Sequence, residues 1–97
     1  MYNIRRSTQF KKDIKLCFKR NYDLSLIAVA INNLKETGTL PDKYLPHPLQ
    51  GKYKVMNIWE CHIESDWLML WYITGTDNPD FEGEIIFVRT GTHSDIF

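Results

Sequence analysis

Ninety-seven residues with 43% apolar content suit one small domain with its own core and leave no room for a second. No stretch approaches the roughly 20 apolar residues of a membrane helix, which excludes a membrane-spanning helical protein. The net charge of zero does not exclude RNA, because residues 1–56 hold eleven Lys/Arg against four acids and residues 57–97 one against eight.

Met1–Arg6 carries charge with no apolar signal core behind it, so a cytoplasmic protein is expected. Tyr2–Arg6 is short and mixed and reads as a first strand. Ser7 or Thr8 then offers a helix N-cap, and Phe10, Ile14, Cys17 and Phe18 recur at helical spacing up to about Arg20. The opposite face carries Lys11, Lys12, Lys15 and Lys19. Asp23 is placed to cap a second helix with an apolar stripe of Leu24, Ile27, Ile31 and Leu34, closed by Gly38. Pro41, Pro46 and Pro48 argue against regular structure over the next stretch, which puts His47 in a stiff exposed loop.

The remainder reads as sheet. Asn57–Glu64 alternates, with Trp59, Cys61 and Ile63 on one side and Ile58, Glu60, His62 and Glu64 on the other, open side. A two-residue turn at Ser65-Asp66 would pair Glu64 with Trp67 and His62 with Met69, placing Trp67 on the face of His62 and Leu68, Leu70 and Tyr72 in the core. An acidic, turn-rich segment over 75–83 leads to a last strand, Glu84–Thr90. Arg89 is assigned to the His62 face, since the other parity would bury an unpaired guanidinium. Strand, two helices and three antiparallel strands make a single α+β domain over residues 1–97, an N-terminal strand and helical hairpin packed on an antiparallel sheet.

The chemistry-bearing residues lie outside the helices. Unperturbed histidine titrates near pH 6.5, so one can act as base and another as acid near neutrality. Cleavage of RNA asks for that pair: the 2′-hydroxyl loses a proton, the 5′-oxygen gains one, and the five-coordinate phosphorus between them needs its added charge stabilised, a task that suits an arginine fork. His47, His62 and His93 with Arg89 supply those types. Cys17 and Cys61 are too few for a disulfide framework and lack zinc spacing, and His62 and Asp66, four apart across a strand turn, make a poor metal pair.

Three strings occur in order: His47-Pro48-Leu49-Gln50-Gly51; Glu60-Cys61-His62-Ile63-Glu64-Ser65-Asp66-Trp67 with Tyr72; and Arg89-Thr90-Gly91-Thr92-His93-Ser94-Asp95-Ile96-Phe97. Together they resemble the YafQ branch of the RelE/ParE toxin superfamily over almost the whole chain. The resemblance implies the RelE-like fold and a ribosome-dependent endoribonuclease that cleaves mRNA without metal or other cofactor, as the toxin of a type II toxin–antitoxin pair. Its implied partners are a cognate antitoxin, the ribosome and mRNA, with operator DNA only as a complex with the antitoxin and no membrane. His47, His62, Asp66, Arg89 and His93 match the family's acid-base and phosphate-binding positions. Trp67 and Phe97 match its base-contacting or site-shaping positions, and Lys11, Lys15 and Lys52 of the basic half are expected along the RNA. His93 or Asp66 is the expected acid, His47 or His62 the base, and Arg89 the phosphate ligand.

The chain departs from the family pattern at Trp59, where an arginine is common, at Ser65, where proline is usual, and in the long acidic 75–83 segment. A negative loop near ribosomal RNA would oppose binding. The competing readings are a ParE-like toxin that inhibits a protein target without cutting RNA, and a disabled homologue retained to bind an antitoxin. The first would not need three histidines and an arginine, and the unusual charge is the one feature that supports the second.

Overall fold

In a computed structural model of the chain, residues 1–51 and 57–97 are described. Strand β1 (Asn3–Arg6) leads into helices α1 (Thr8–Lys19) and α2 (Leu24–Thr37). Strands β2 (His47–Pro48), β3 (Trp59–Glu64), β4 (Trp67–Thr74) and β5 (Glu84–Gly91) follow, and a short helix α3 (His93–Ile96) comes last. The sheet order is β1-β5-β4-β3-β2.

Both long helices begin and end where their side chains dictate. The Ser7 side chain accepts from Phe10 N–H and the Asp23 side chain from Ser25 N–H, satisfying amides the first turn would leave bare. Gly38 closes α2 in the left-handed conformation at φ 77°, donating its N–H to Leu34 O. Phe10, Cys17, Ile27, Ala30 and Leu34 point down onto one sheet face, where they meet Cys61, Trp67, Met69, Trp71, Ile85 and Phe87. Phe18, counted with the apolar stripe, instead stands exposed at 69%, and Asp13 takes a buried place on α1.

The α+β architecture holds, with four corrections. The sheet is mixed, since β1 runs parallel to β5, pairing Asn3 with Glu84 through Arg6 with Phe87. The prolines do not keep His47 in a loop: His47 pairs with Glu60 and Pro48 with Trp59. A proline is tolerated there because β2 is the edge strand and the ladder loses nothing on its outer side. The hairpin register slips after His62, so that Glu64 pairs with Trp67 but His62 with Leu68 rather than Met69. The extra residue turns β4 over, sending Trp67 to the helix side and Leu68 and Leu70 to the face of His62, with Ile58 and Ile96. A second irregularity between Leu70 and Trp71 sets Arg89 opposite Leu70 while Ile85 and Phe87 face the helices. Arg89 therefore keeps its expected side although the simple alternation of β5 is broken.

Candidate active site

The face of the sheet away from α1 and α2 gathers the three histidines from three separate elements. His47 comes from β2, His62 from β3 and His93 from the start of α3. Ring centroids are 6.4 Å apart for His47 and His62, 6.1 Å for His62 and His93, and 6.3 Å for His93 and Phe97, which makes one continuous row.

Each ring is held by a fixed acceptor. His47 Nδ1 lies 2.8 Å from Leu45 O, which leaves Nε2 facing Glu60 Oε1 at 3.2 Å. His62 Nδ1 lies 3.2 Å from Ser65 O, with Nε2 at 4.0 Å from the same Glu60 oxygen. Glu60 is 5% exposed, so a buried carboxyl group stands between the two imidazoles. His93 Nδ1 sits 2.7 Å from Asp66 Oδ1, and the same oxygen accepts the His93 backbone N–H at 3.0 Å. Those two donors, the backbone one first, hold the Asp66 carboxyl below the usual carboxylate range.

Arg89 approaches from β5. Its Nε donates to Asp13 Oδ2 at 2.8 Å and one Nη to Asp13 Oδ1 at 3.3 Å, and that Nη also donates to Asp95 O in α3 at 3.2 Å. Asp13 further accepts Thr90 N–H at 3.1 Å, tying α1 to the end of β5. Asp95 completes a capping box with Thr92 and is gripped by the guanidinium of Arg20 at 2.7 and 3.1 Å. The Arg20 fork first, then the Thr92 amide, holds its carboxyl far below the ordinary range.

His47, His62, Asp66 and His93 are thus brought together, with Arg89 anchored to the helix that carries His93. Phe97 is 57% exposed beside His93. Trp67 is placed differently from expectation: it is 2% exposed, packed on Tyr22 at 4.9 Å, and its Nε1–H donates to Thr90 Oγ1 at 2.9 Å. Its ring supports the end of β5 from the helix side and has no face open to a base. Lys11 and Lys15 are exposed on α1, and Lys52 lies outside the described residues. Burial raises the Cys61 thiol to about 12, which keeps it protonated and unreactive at neutral pH. Among the described residues no group of three or more His, Cys, Asp and Glu is arranged to hold a metal ion.

Sequence reasoning did not single out Glu60, Asp13, Arg20 or Asp95 as site residues. Two carried a readable signal. Glu60 shares the parity of His62, and Asp13 falls on the buried spacing of Phe10 and Cys17, where an acid needs a partner. The partners of Asp13 and Arg20 lie 76 and 75 residues away, at Arg89 and Asp95, beyond any local pattern.

Bacterial toxins of type II toxin–antitoxin systems, in the family YafQ, match residues 2–97 of the chain. The mRNA interferase toxin YafQ of Escherichia coli K12 is 36% identical over 99 aligned positions, covering 98% of this chain and 95% of that one. A metal-bound toxin from Helicobacter pylori superposes with a TM-score of 0.84 at 35% identity, each chain covered in full. The crystal structure of the E. coli DinJ-YafQ toxin-antitoxin complex gives 0.82 at 34% identity, over 99% of this chain and 97% of the other. Fold and site together define a small toxin with the RelE-like architecture. The chain belongs to the YafQ family of bacterial type II toxin–antitoxin toxins.

Proposed function

We propose that this protein, an endoribonuclease toxin by family, cleaves mRNA bound in the ribosome through general acid-base catalysis by its histidine row. The observation that carries the reading is that row, His47, His62 and His93 at about 6 Å intervals, with Arg89 hydrogen-bonded to the helix that bears His93. His47 and His62, which face the same Glu60 oxygen, form the basic end of the site, one of them taking the 2′-hydroxyl proton. His93 is the acid that protonates the departing 5′-oxygen. Asp66, already ionised and accepting from His93 twice, orients that ring and is unsuited to donate a proton itself. Arg89 meets the phosphate as its charge grows, held in place by Asp13 so that little reorganisation is needed when the substrate arrives. The products are a 5′-hydroxyl fragment and a fragment ending in a cyclic 2′,3′-phosphate.

The site is a shallow row on an open sheet face, so substrate order has to come from elsewhere. A ribosome that fixes the mRNA backbone supplies it, with Lys11, Lys15 and Lys52 as contacts to phosphates. The protein works in the cytoplasm beside a cognate antitoxin that silences it, and it meets operator DNA only within that complex. No helix of the described residues is long and apolar enough to cross a membrane.

Purified protein is to be given one mRNA, naked and in programmed ribosomes, with the new 5′ ends mapped. Cleavage confined to the ribosome-bound message, leaving 5′-hydroxyl ends, is the expected result. Equal cleavage of both forms would overturn the ribosome requirement, and no cleavage of either would overturn the enzymatic reading.

A further inference from the structure

We infer that Arg20 is a positioning residue for the acid end of the site, acting through Asp95 to hold α3, and with it His93 and Phe97, in register with Arg89; this rests on the catalytic reading above. Asp13 lies in α1 and Arg20 is its C-cap residue seven positions on, about two helical turns, so the two share one side of the helix. From that side Asp13 grips Arg89 in β5 while Arg20 grips Asp95 in α3. The span between the two gripped residues contains Gly91, Thr92 and His93, the segment that aims the acid.

That segment cannot aim itself. A helix of four residues has no independent stability in water, since nucleation costs more than one turn returns. Its attachments are Ile96 in the small cluster with Ile58, Leu68 and Leu70, the Thr92–Asp95 capping box, the Asp66 carboxylate on the His93 ring and N–H at its first residue, the Arg89 bond to Asp95 O, and the Arg20 fork. Ile96 fixes how deep the helix sits. The fork fixes its rotation, because two parallel N–H···O bonds at 2.7 and 3.1 Å resist twisting where a single contact would not. The Asp95 side chain lies so close over Gly91, at φ 153°, that an added Cβ would fall 2.8 Å from Asp95 Oδ2. The carboxylate is therefore wedged between the strand end and Arg20. A small rotation of α3 would carry His93 off the leaving oxygen, and misplacement by about 1 Å can cost 100-fold in rate.

The test compares wild type, R20A, R20K, D95N and the R20A/D95N pair in single-turnover cleavage of mRNA on programmed ribosomes, with amide exchange of α3 measured on the free proteins. R20A is expected to lower the rate at saturating ribosome by about 10-fold or more with half-saturation unchanged. R20K, equal in charge but unable to form the fork, should recover little. The double variant should fall no further than the more affected single one, because both break the same link. In R20A the amides of Ile96 and Phe97 should exchange faster than in wild type while those of α2 do not. If R20A instead weakens half-saturation in a salt-dependent manner, adds its effect to that of D95N and is rescued by R20K, Arg20 is a direct RNA contact and the inference is overturned. Unchanged exchange of α3 overturns it as well, without reference to activity. Failure of wild type to cleave would count against the catalytic reading alone, and exchange would still decide whether Arg20 holds α3.

Discussion

Behind the sheet, under α1 and α2, Phe10, Leu34, Trp67, Trp71 and Phe87 interlock with smaller apolar residues into one continuous core. On the front, Ile58, Leu68, Leu70 and Ile96 make a cluster just large enough to seat one turn of helix, and the surface beside it is imidazole, carboxylate and guanidinium. The difference separates two jobs. The rear holds the strands in place by burying apolar area, at about 25 cal/mol per Å². The front is left polar and lightly packed, and its order comes from hydrogen bonds anchored to strands that the rear has already fixed.

The largest expected effect lies in the rear. Leu34→Ala removes a fully buried side chain and should lower unfolding free energy by about 2–5 kcal/mol. Cleavage per folded molecule should stay unchanged, and denaturant unfolding beside single-turnover cleavage checks both halves of the claim. A matching loss of activity in the folded fraction would show that the two faces are not independent.

Next come Arg89→Lys and His93→Ala, each expected to cut ribosome-dependent cleavage by about 100-fold or more. His93→Ala should leave stability within about 0.5 kcal/mol of wild type, as its side chain is largely exposed. Near wild-type rates at saturating ribosome would place the chemistry elsewhere on the molecule.

Acid should separate the faces without mutation. Asp95 is held below the ordinary carboxylate range by Arg20, and Asp66 by the His93 amide. A carboxyl whose folded value is depressed adds stability that is fully present above its unfolded value, near pH 4, and is lost as pH falls through the folded value. The front should therefore loosen below about pH 4, with α3 amides losing exchange protection before those of α1, whose cap is the Ser7 hydroxyl. Simultaneous loss in both helices would make the molecule a single cooperative unit instead.

The smallest effect is expected from Lys15→Ala. Its side chain is exposed on α1, and its removal should weaken ribosome binding only a few-fold, less at high salt, with the chemical step unchanged. Salt-independent weakening would exclude a phosphate contact.

What could be read from the sequence divides along the same line. Ser7, Asp23 and Gly38 mark the helix ends because capping is local chemistry between residues a few positions apart. The parity of β3 was legible for the same reason, since Trp59, Cys61 and Ile63 do face away from His62 and Glu60. The front was legible only as a set of residue types. The slip after His62 that buries Trp67 depends on turn geometry rather than alternation, and the break beside Trp71 does the same to Ile85 and Phe87. His47 entered the sheet because an edge strand tolerates the proline after it, a fact about position in the sheet that the string His47-Pro48 does not contain. The links from Asp13 to Arg89 and from Arg20 to Asp95 join opposite ends of the chain, and only the folded topology creates them.

The position of β5 between β1 and β4 has a consequence for biosynthesis. β1 is the first strand to be made, yet its strand neighbour is made after every other strand. A nascent chain can form the α1–α2 hairpin and the β3–β4 hairpin early, but β1 must wait for β5, and Arg89 and His93 arrive with or after that strand. The parts of the proposed site carried by β5 and α3 therefore come together only after every other strand has been made.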